Sequence, residues 1–131
     1  MKAPAVSILL LVVRAYGMLL YFDFVLARNN FGSLRHAIHN FPAANRLPEP
    51  EAVPRICRAV NIACICYWKQ ALCLQRSAVT VFLLRSAGTA AELLIGAKML
   101  PLKSHAWVAI DGQVVNDKSY VCETFAVIDR W

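Results

Sequence analysis

Charge is scarce in this chain. Only 17% of its residues are charged and 59% are hydrophobic, where an average soluble chain has roughly 25% and 45–50%. The excess has to go into a large core or onto an apolar surface that meets a partner or a bilayer. The 14 basic residues outnumber the 8 acidic ones, but they are scattered singly, as at Arg14, Arg35, Arg58, Arg85 and Lys103, with no interleaved aromatics. That argues against a nucleic-acid stripe. Glycine is sparse and dispersed, with five in all, and no G-x-x-x-x-G-K-[ST] occurs. The sequence has no phosphate loop, and no cofactor bound by this chain is expected.

Cysteine follows no framework either. The five cysteines are odd in number and irregularly spaced, which excludes a secreted disulfide scaffold and points to a reducing, cytoplasmic compartment. Cys64 and Cys66 form a C-x-C with no matching His or Cys pair, so no zinc site is expected. Cys57 and Cys64 share one helix face and read as core. His36 and His39 read as surface residues, since no third ligand is in view.

A chain of 131 residues has room for one domain, divided here into an N-terminal helical region over 1–53 and a core over 54–131. Residues 5–27 are almost continuously apolar. A spanning helix needs about 20 largely uncharged residues, and Arg14 falls near the middle of this run. The alternatives are a buried or partner-facing helix, a membrane-associated helix, and a cleaved signal that would use Lys2 as its charged start. Next come a short helix over 33–40 and a loop with Pro42, Pro48 and Pro50. Helical spacing of Ile56, Val60, Cys64 and Tyr67 predicts a helix from Pro54 to about Lys69. A second helix runs over 73–87 and stops at Gly88. If Cys73 opens that helix, a break has to fall near 70–72, where no residue signals one.

After Gly88 the period changes to two. Strands are expected over 92–97, 105–110, 113–117 and 121–128, with Asp111-Gly112 as a hairpin signal. Helices followed by a small antiparallel sheet make this an α+β chain.

Cys73, His105 and Asp117 are the candidate chemistry. A thiolate at a helix N-terminus is a good nucleophile, an imidazole can take its proton, and a carboxylate fixes the imidazole tautomer. The hairpin tests whether two of them meet. A three-residue loop over 110–112 pairs Ala109 with Gln113 and sets His105 opposite Asp117, about 4.5–5.5 Å apart at Cβ. A two-residue loop pairs Ala106 with Asp117 and takes the carboxylate off the His105 face. Asp111, at the turn tip, has no catalytic part. The backbone N–H of Cys73 is the natural oxyanion donor, with a side chain from residues 67–70 as a second.

Several stretches together carry a family resemblance: Cys73-Leu74-x-Arg76, Leu83-Leu84-Arg85-x-x-Gly88, Glu92-Leu93-x-Ile95-Gly96, His105-Ala106-Trp107-Val108, Asp111-Gly112 and Asn116-Asp117. Over roughly 55–130 the chain resembles the transglutaminase-like cysteine peptidases of lasso-peptide biosynthesis. The resemblance implies a papain-like or transglutaminase-like core and a Cys73-His105-Asp117 triad that removes the leader from a precursor peptide. It also implies a separate leader-binding partner, the RiPP recognition element, because no such domain precedes the similar region. The apolar N-terminus would then dock that partner or the lasso cyclase, through which the pathway uses ATP. Crosslinking by a lysine uses the same triad. A small membrane-associated protein and a catalytically silent peptide-binding scaffold are the alternatives from other classes.

Overall fold

Leu11, Ala15, Leu19 and Phe22 recur along one stripe of α1 (Ile8–Ala27) and are buried, since helical spacing brings them to one face. A computed structural model describes residues 8–28, 31–45, 47, 51–99 and 101–131. Lys2, residues 5–7 of the apolar run, and Pro48 and Pro50 of the loop lie outside the described residues. The α1 stripe packs against α3 (Ala52–Cys66) and α4 (Cys73–Ser86), with α2 (Phe31–His39) beside it. Its other side leaves Leu9, Leu10, Val13, Leu20, Tyr21 and Phe24 exposed. By length and composition α1 could cross a membrane, yet its buried stripe belongs to the core shared by the helices and the sheet.

The sheet has the order β3-β2-β1-β4, with every pairing antiparallel. Its strands are β1 (Ala91–Lys98), β2 (Lys103–Ile110), β3 (Gln113–Val114) and β4 (Ala126–Arg130). Strand alternation gives it two different faces. Leu93, Ala106 and Val108 join the helices in the main core. Leu94, Trp107 and Ala109 make a second, smaller core with Val121 of α5 (Val121–Thr124), with Phe125 packed against it. Helices followed by a small antiparallel sheet is the α+β arrangement expected.

Three expectations fail locally. The strand expected over 121–128 is instead the short helix α5 followed by β4, because Val121 and Phe125 fold back onto Trp107 to cover the second face. The strand expected over 113–117 keeps only Gln113 and Val114. The hairpin closes with two residues, not three: Ile110 pairs with Gln113, and Asp111 and Gly112 have φ of 51° and 80°. Positive φ at both central positions is the type I′ turn that matches strand twist.

The break before Cys73 has a tertiary cause. Tyr67 leaves α3 in an extended conformation, and its hydroxyl donates to Asp23 Oδ2 of α1 at 2.8 Å. Lys69 pairs with the same carboxylate at 2.6 Å. Gln75, fully buried, accepts the Leu72 N–H at 3.2 Å and donates to the Leu19 carbonyl at 2.7 Å. Residues of α1 thus end α3 and start α4.

Candidate active site

Cys73 is the first residue of α4, where helix N–H groups have no intrahelical acceptor, and it is half-buried with a free thiol. Ser77, one turn on, donates to the Ala106 carbonyl at 3.2 Å. Arg85, near the other end of α4, donates to the Ala91 carbonyl at 2.9 Å, and Ala91 pairs with Ile110. The helix therefore runs along β2, and its N-terminus points toward the Lys103 end of the strand. One turn, about 5.4 Å, covers nearly two strand residues, which sets Cys73 at the level of Ser104 and His105.

His105 lies on the other face of β2 from Ala106, among aromatic rings. Its centroid is 5.3 Å from Phe125 and 6.1 Å from Trp107, the latter stacked at 27°. Gly96 sits directly across on β1. A Cβ there would meet Trp107 Cη2 at 2.6 Å and Phe125 Cβ at 2.8 Å, so a bare glycine is what lets the rings close around the imidazole.

His105 Nε2 and Asp117 Oδ2 are hydrogen-bonded. The observed register, continued, would carry Asp117 opposite Ala106 and away from His105. Asn116 prevents this. The Val115 N–H still donates to the Val108 carbonyl at 3.0 Å, but the reciprocal Val108 N–H goes to Asn116 Oδ1 at 2.7 Å. The side-chain NH2 of Asn116 also donates to Ser77 Oγ at 3.2 Å, and the Asn116 backbone carbonyl accepts from Arg76 at 3.0 Å. The chain bends through 115–117 and delivers Asp117 to the imidazole. Arg76 and Asn116 were visible in the sequence only as parts of a resemblance, and no spacing revealed their linkage with Ser77.

Burial pushes the Asp117 carboxyl up. The hydrogen bond from His105, the Lys118 N–H at 2.7 Å, and the positive charges of His105 and Arg76 outweigh it, so the group lies below the usual carboxylate value. The pair opens onto a cavity bounded also by Tyr120, Val121 and Phe125. Cys73 does not line it. Among the described residues no hydrogen bond joins the thiol to His105. The structure therefore joins His105 with Asp117 and leaves Cys73 at the same end of β2, on the α4 side.

Of the residues considered as second oxyanion donors, Tyr67 and Lys69 are held by Asp23, which leaves Trp68 and Gln70, both exposed. His36 and His39 are exposed on α2, where the His36 ring bonds Asn40. Burial pushes the Cys57 and Cys64 thiols up, against the pull of Arg76. Among the described residues no group of three or more His, Cys, Asp or Glu is placed to share a metal ion.

No curated protein and no solved structure matches the chain. A family model described as the transglutaminase-like superfamily matches residues 18–130. The match begins inside α1, well before the 55–130 stretch of the resemblance, in keeping with α1 holding the segment that leads into Cys73. Covering the second half of α1, the Cys73 helix and the sheet that carries His105, the match shows that this chain belongs to the transglutaminase-like superfamily.

Proposed function

We propose that the protein is a cysteine peptidase that removes the leader from a ribosomally made lasso-peptide precursor, with Cys73 as nucleophile, His105 as base and Asp117 as orienter. The observation that carries this reading is the His105–Asp117 hydrogen bond beside an open cavity, at the end of β2 toward which α4 directs Cys73. With Nε2 engaged by Asp117, Nδ1 of His105 is the nitrogen left to accept the thiol proton. The Cys73 sulfur attacks the scissile carbonyl, and the oxyanion meets the Cys73 N–H. His105 returns the proton to the leaving amine, and water releases the acyl group from the thioester. Contacts of this kind are often long before substrate binds.

The partners under this reading are the precursor peptide, a separate leader-binding protein and the lasso cyclase, which brings the pathway's ATP requirement. The exposed face of α1 is the surface available for docking, and the reduced thiols suit the cytoplasm. The test is mass spectrometry of the precursor incubated with this protein and its leader-binding partner, beside Cys73→Ala. Loss of the leader only with intact Cys73 supports hydrolysis. A mass lower by one ammonia indicates crosslinking instead.

A second reading, a silent peptide-binding scaffold, is favoured by one observation: the thiol makes no hydrogen bond to His105 and stands outside the cavity that His105 lines. It requires Cys73 to react with mild alkylating agents no faster than an ordinary thiol.

A further inference from the structure

The cavity beside His105 measures about 260 Å³, below the roughly 300–1,000 Å³ of small-molecule sites. That is the scale of a single side chain. Its walls are apolar and aromatic: Val121 is buried, and Tyr120 and Phe125 flank it.

Lys118 lines the cavity, and two more lysines stand on the same face of the sheet. Lys98 and Lys103 are direct partners across β1 and β2, two residues along from the Gly96–His105 pair, so by strand alternation they share the His105 face. Lys98 Nζ lies 5.6 Å from the Phe125 ring centre, and Lys118 Nζ lies 5.7 Å from that of Tyr120. Two ammonium groups are thereby held over the cavity's own aromatic walls. Among the described residues none of the three lysines has a carboxylate partner. The acid inside the site, Asp117, is already taken by His105. Lys118 in the cavity wall, Lys98 over its Phe125 wall and Lys103 beside Lys98 put three like charges on one side of the site, and a negative ligand relieves their repulsion.

We propose that this cavity takes an apolar side chain from an acidic stretch of peptide, whose neighbouring carboxylates pair with Lys98, Lys103 and Lys118. The inference rests on reading the chain as a peptide-handling protein, and it deepens that reading by naming the class of segment recognised. An extended peptide alternates its side chains, so one apolar residue enters the cup while the flanking acids reach the rim.

The experiment is fluorescence anisotropy with the intact Cys73→Ala protein and labelled peptides. One peptide has a central Phe flanked by Asp and Glu, a second has Asn and Gln in place of the acids, and a third has Gly in place of the Phe. The acidic Phe peptide is expected to bind about tenfold more tightly than its amide isostere, with the preference shrinking as salt rises. Each of Lys98→Gln, Lys103→Gln and Lys118→Gln should cost about twofold, a size ordinary for an exposed ion pair. The triple variant should lose the preference. Arg28→Gln, which removes a charge just past the end of α1, should change nothing, and the Gly peptide should bind more weakly. Equal binding of acidic and amide peptides would overturn the proposal, as would a preference that survives the triple variant. Tighter binding of an oligonucleotide of equal charge would overturn it too. Cleavage of a precursor without acidic preference would overturn this inference and leave the peptidase reading standing, whereas acidic preference without cleavage would do the reverse.

Discussion

Asp117 reaches His105 by leaving the ladder that would have carried it to the other face of the sheet. The two-residue turn sets Ile110 against Gln113, and two-residue periodicity would then take Asp117 to the Ala106 side. Asn116 takes the N–H of Val108 with its own side chain, ends β3 early and swings Asp117 onto the imidazole. The pairing of these groups is a property of an interrupted strand, not of a hairpin register.

Removing that interruption should separate the pair. Asn116→Ala leaves the Val108 N–H without its acceptor and removes the donor to Ser77 Oγ, at a cost of about 1–3 kcal/mol in stability. On the peptidase reading, leader cleavage should fall by up to about 100-fold, the loss that displacing a working group by about 1 Å can bring. Thermal unfolding and cleavage rates measured on the same preparation check both. An Asn116→Ala variant as active as the parent would show that Asp117 finds His105 unaided.

Acid should weaken the fold in a defined window. Asp23, Asp117 and Asp129 all lie below the ordinary 3.8, and Asp129 falls to about 2 through its hydrogen bond from Arg35. A carboxyl depressed in the folded state contributes stability above its unfolded value and loses it as pH falls through the folded one. Urea midpoints should hold from pH 6 to about pH 4 and then decline toward pH 2. Asp129→Asn should flatten the lowest part of that decline, and an unchanged slope would contradict the assignment.

Arg85 is expected to be indispensable for folding. Its guanidinium donates to the carbonyls of Ile38, Phe41, Ala91 and Trp131, tying α2, the loop after it, β1 and the chain beyond β4 to α4. Arg85→Met strands these buried carbonyls at a cost of about 3 kcal/mol or more. Arg85→Lys should recover little, because one ammonium cannot spread to four acceptors. Chemical denaturation of the two variants checks this, and a Lys variant with parental stability would contradict it.

Gly96→Ala should damage the site without touching a reacting group. The added methyl would sit 2.6 Å from Trp107 and 2.8 Å from Phe125, and relieving that overlap costs about 1–3 kcal/mol. Because both rings flank His105, the near-ultraviolet circular dichroism of the tryptophan should change together with peptide binding. An unchanged spectrum would show that the rings do not need the space.

The sequence carried the helix order, the strand positions of β1 and β2, and the end of α4 just before Gly88, since apolar periodicity and Gly88 mark them locally. The break at 67–72 carried no local mark because Asp23, far away in the chain, creates it. Helix α5 was hidden in a stretch that reads as strand, and it forms because Val121 and Phe125 cover Trp107. His105 and Asp117 were legible as partners, but the geometric reason offered, a three-residue loop, was wrong. The Asn116 side chain that does the positioning looks in sequence like any strand-end residue.

The most direct test of the central claim is site-resolved alkylation of the intact protein by iodoacetamide at neutral pH, followed by peptide mapping, with His105→Ala alongside. The exposed Cys66 and Cys122 serve as internal references. Cys73 should be modified first although it is half-buried, and His105→Ala should slow it to the rate of Cys66. If Cys73 reacts no faster than Cys66 in the parent protein, the thiol is not activated by the His105–Asp117 pair, and the scaffold reading replaces the peptidase.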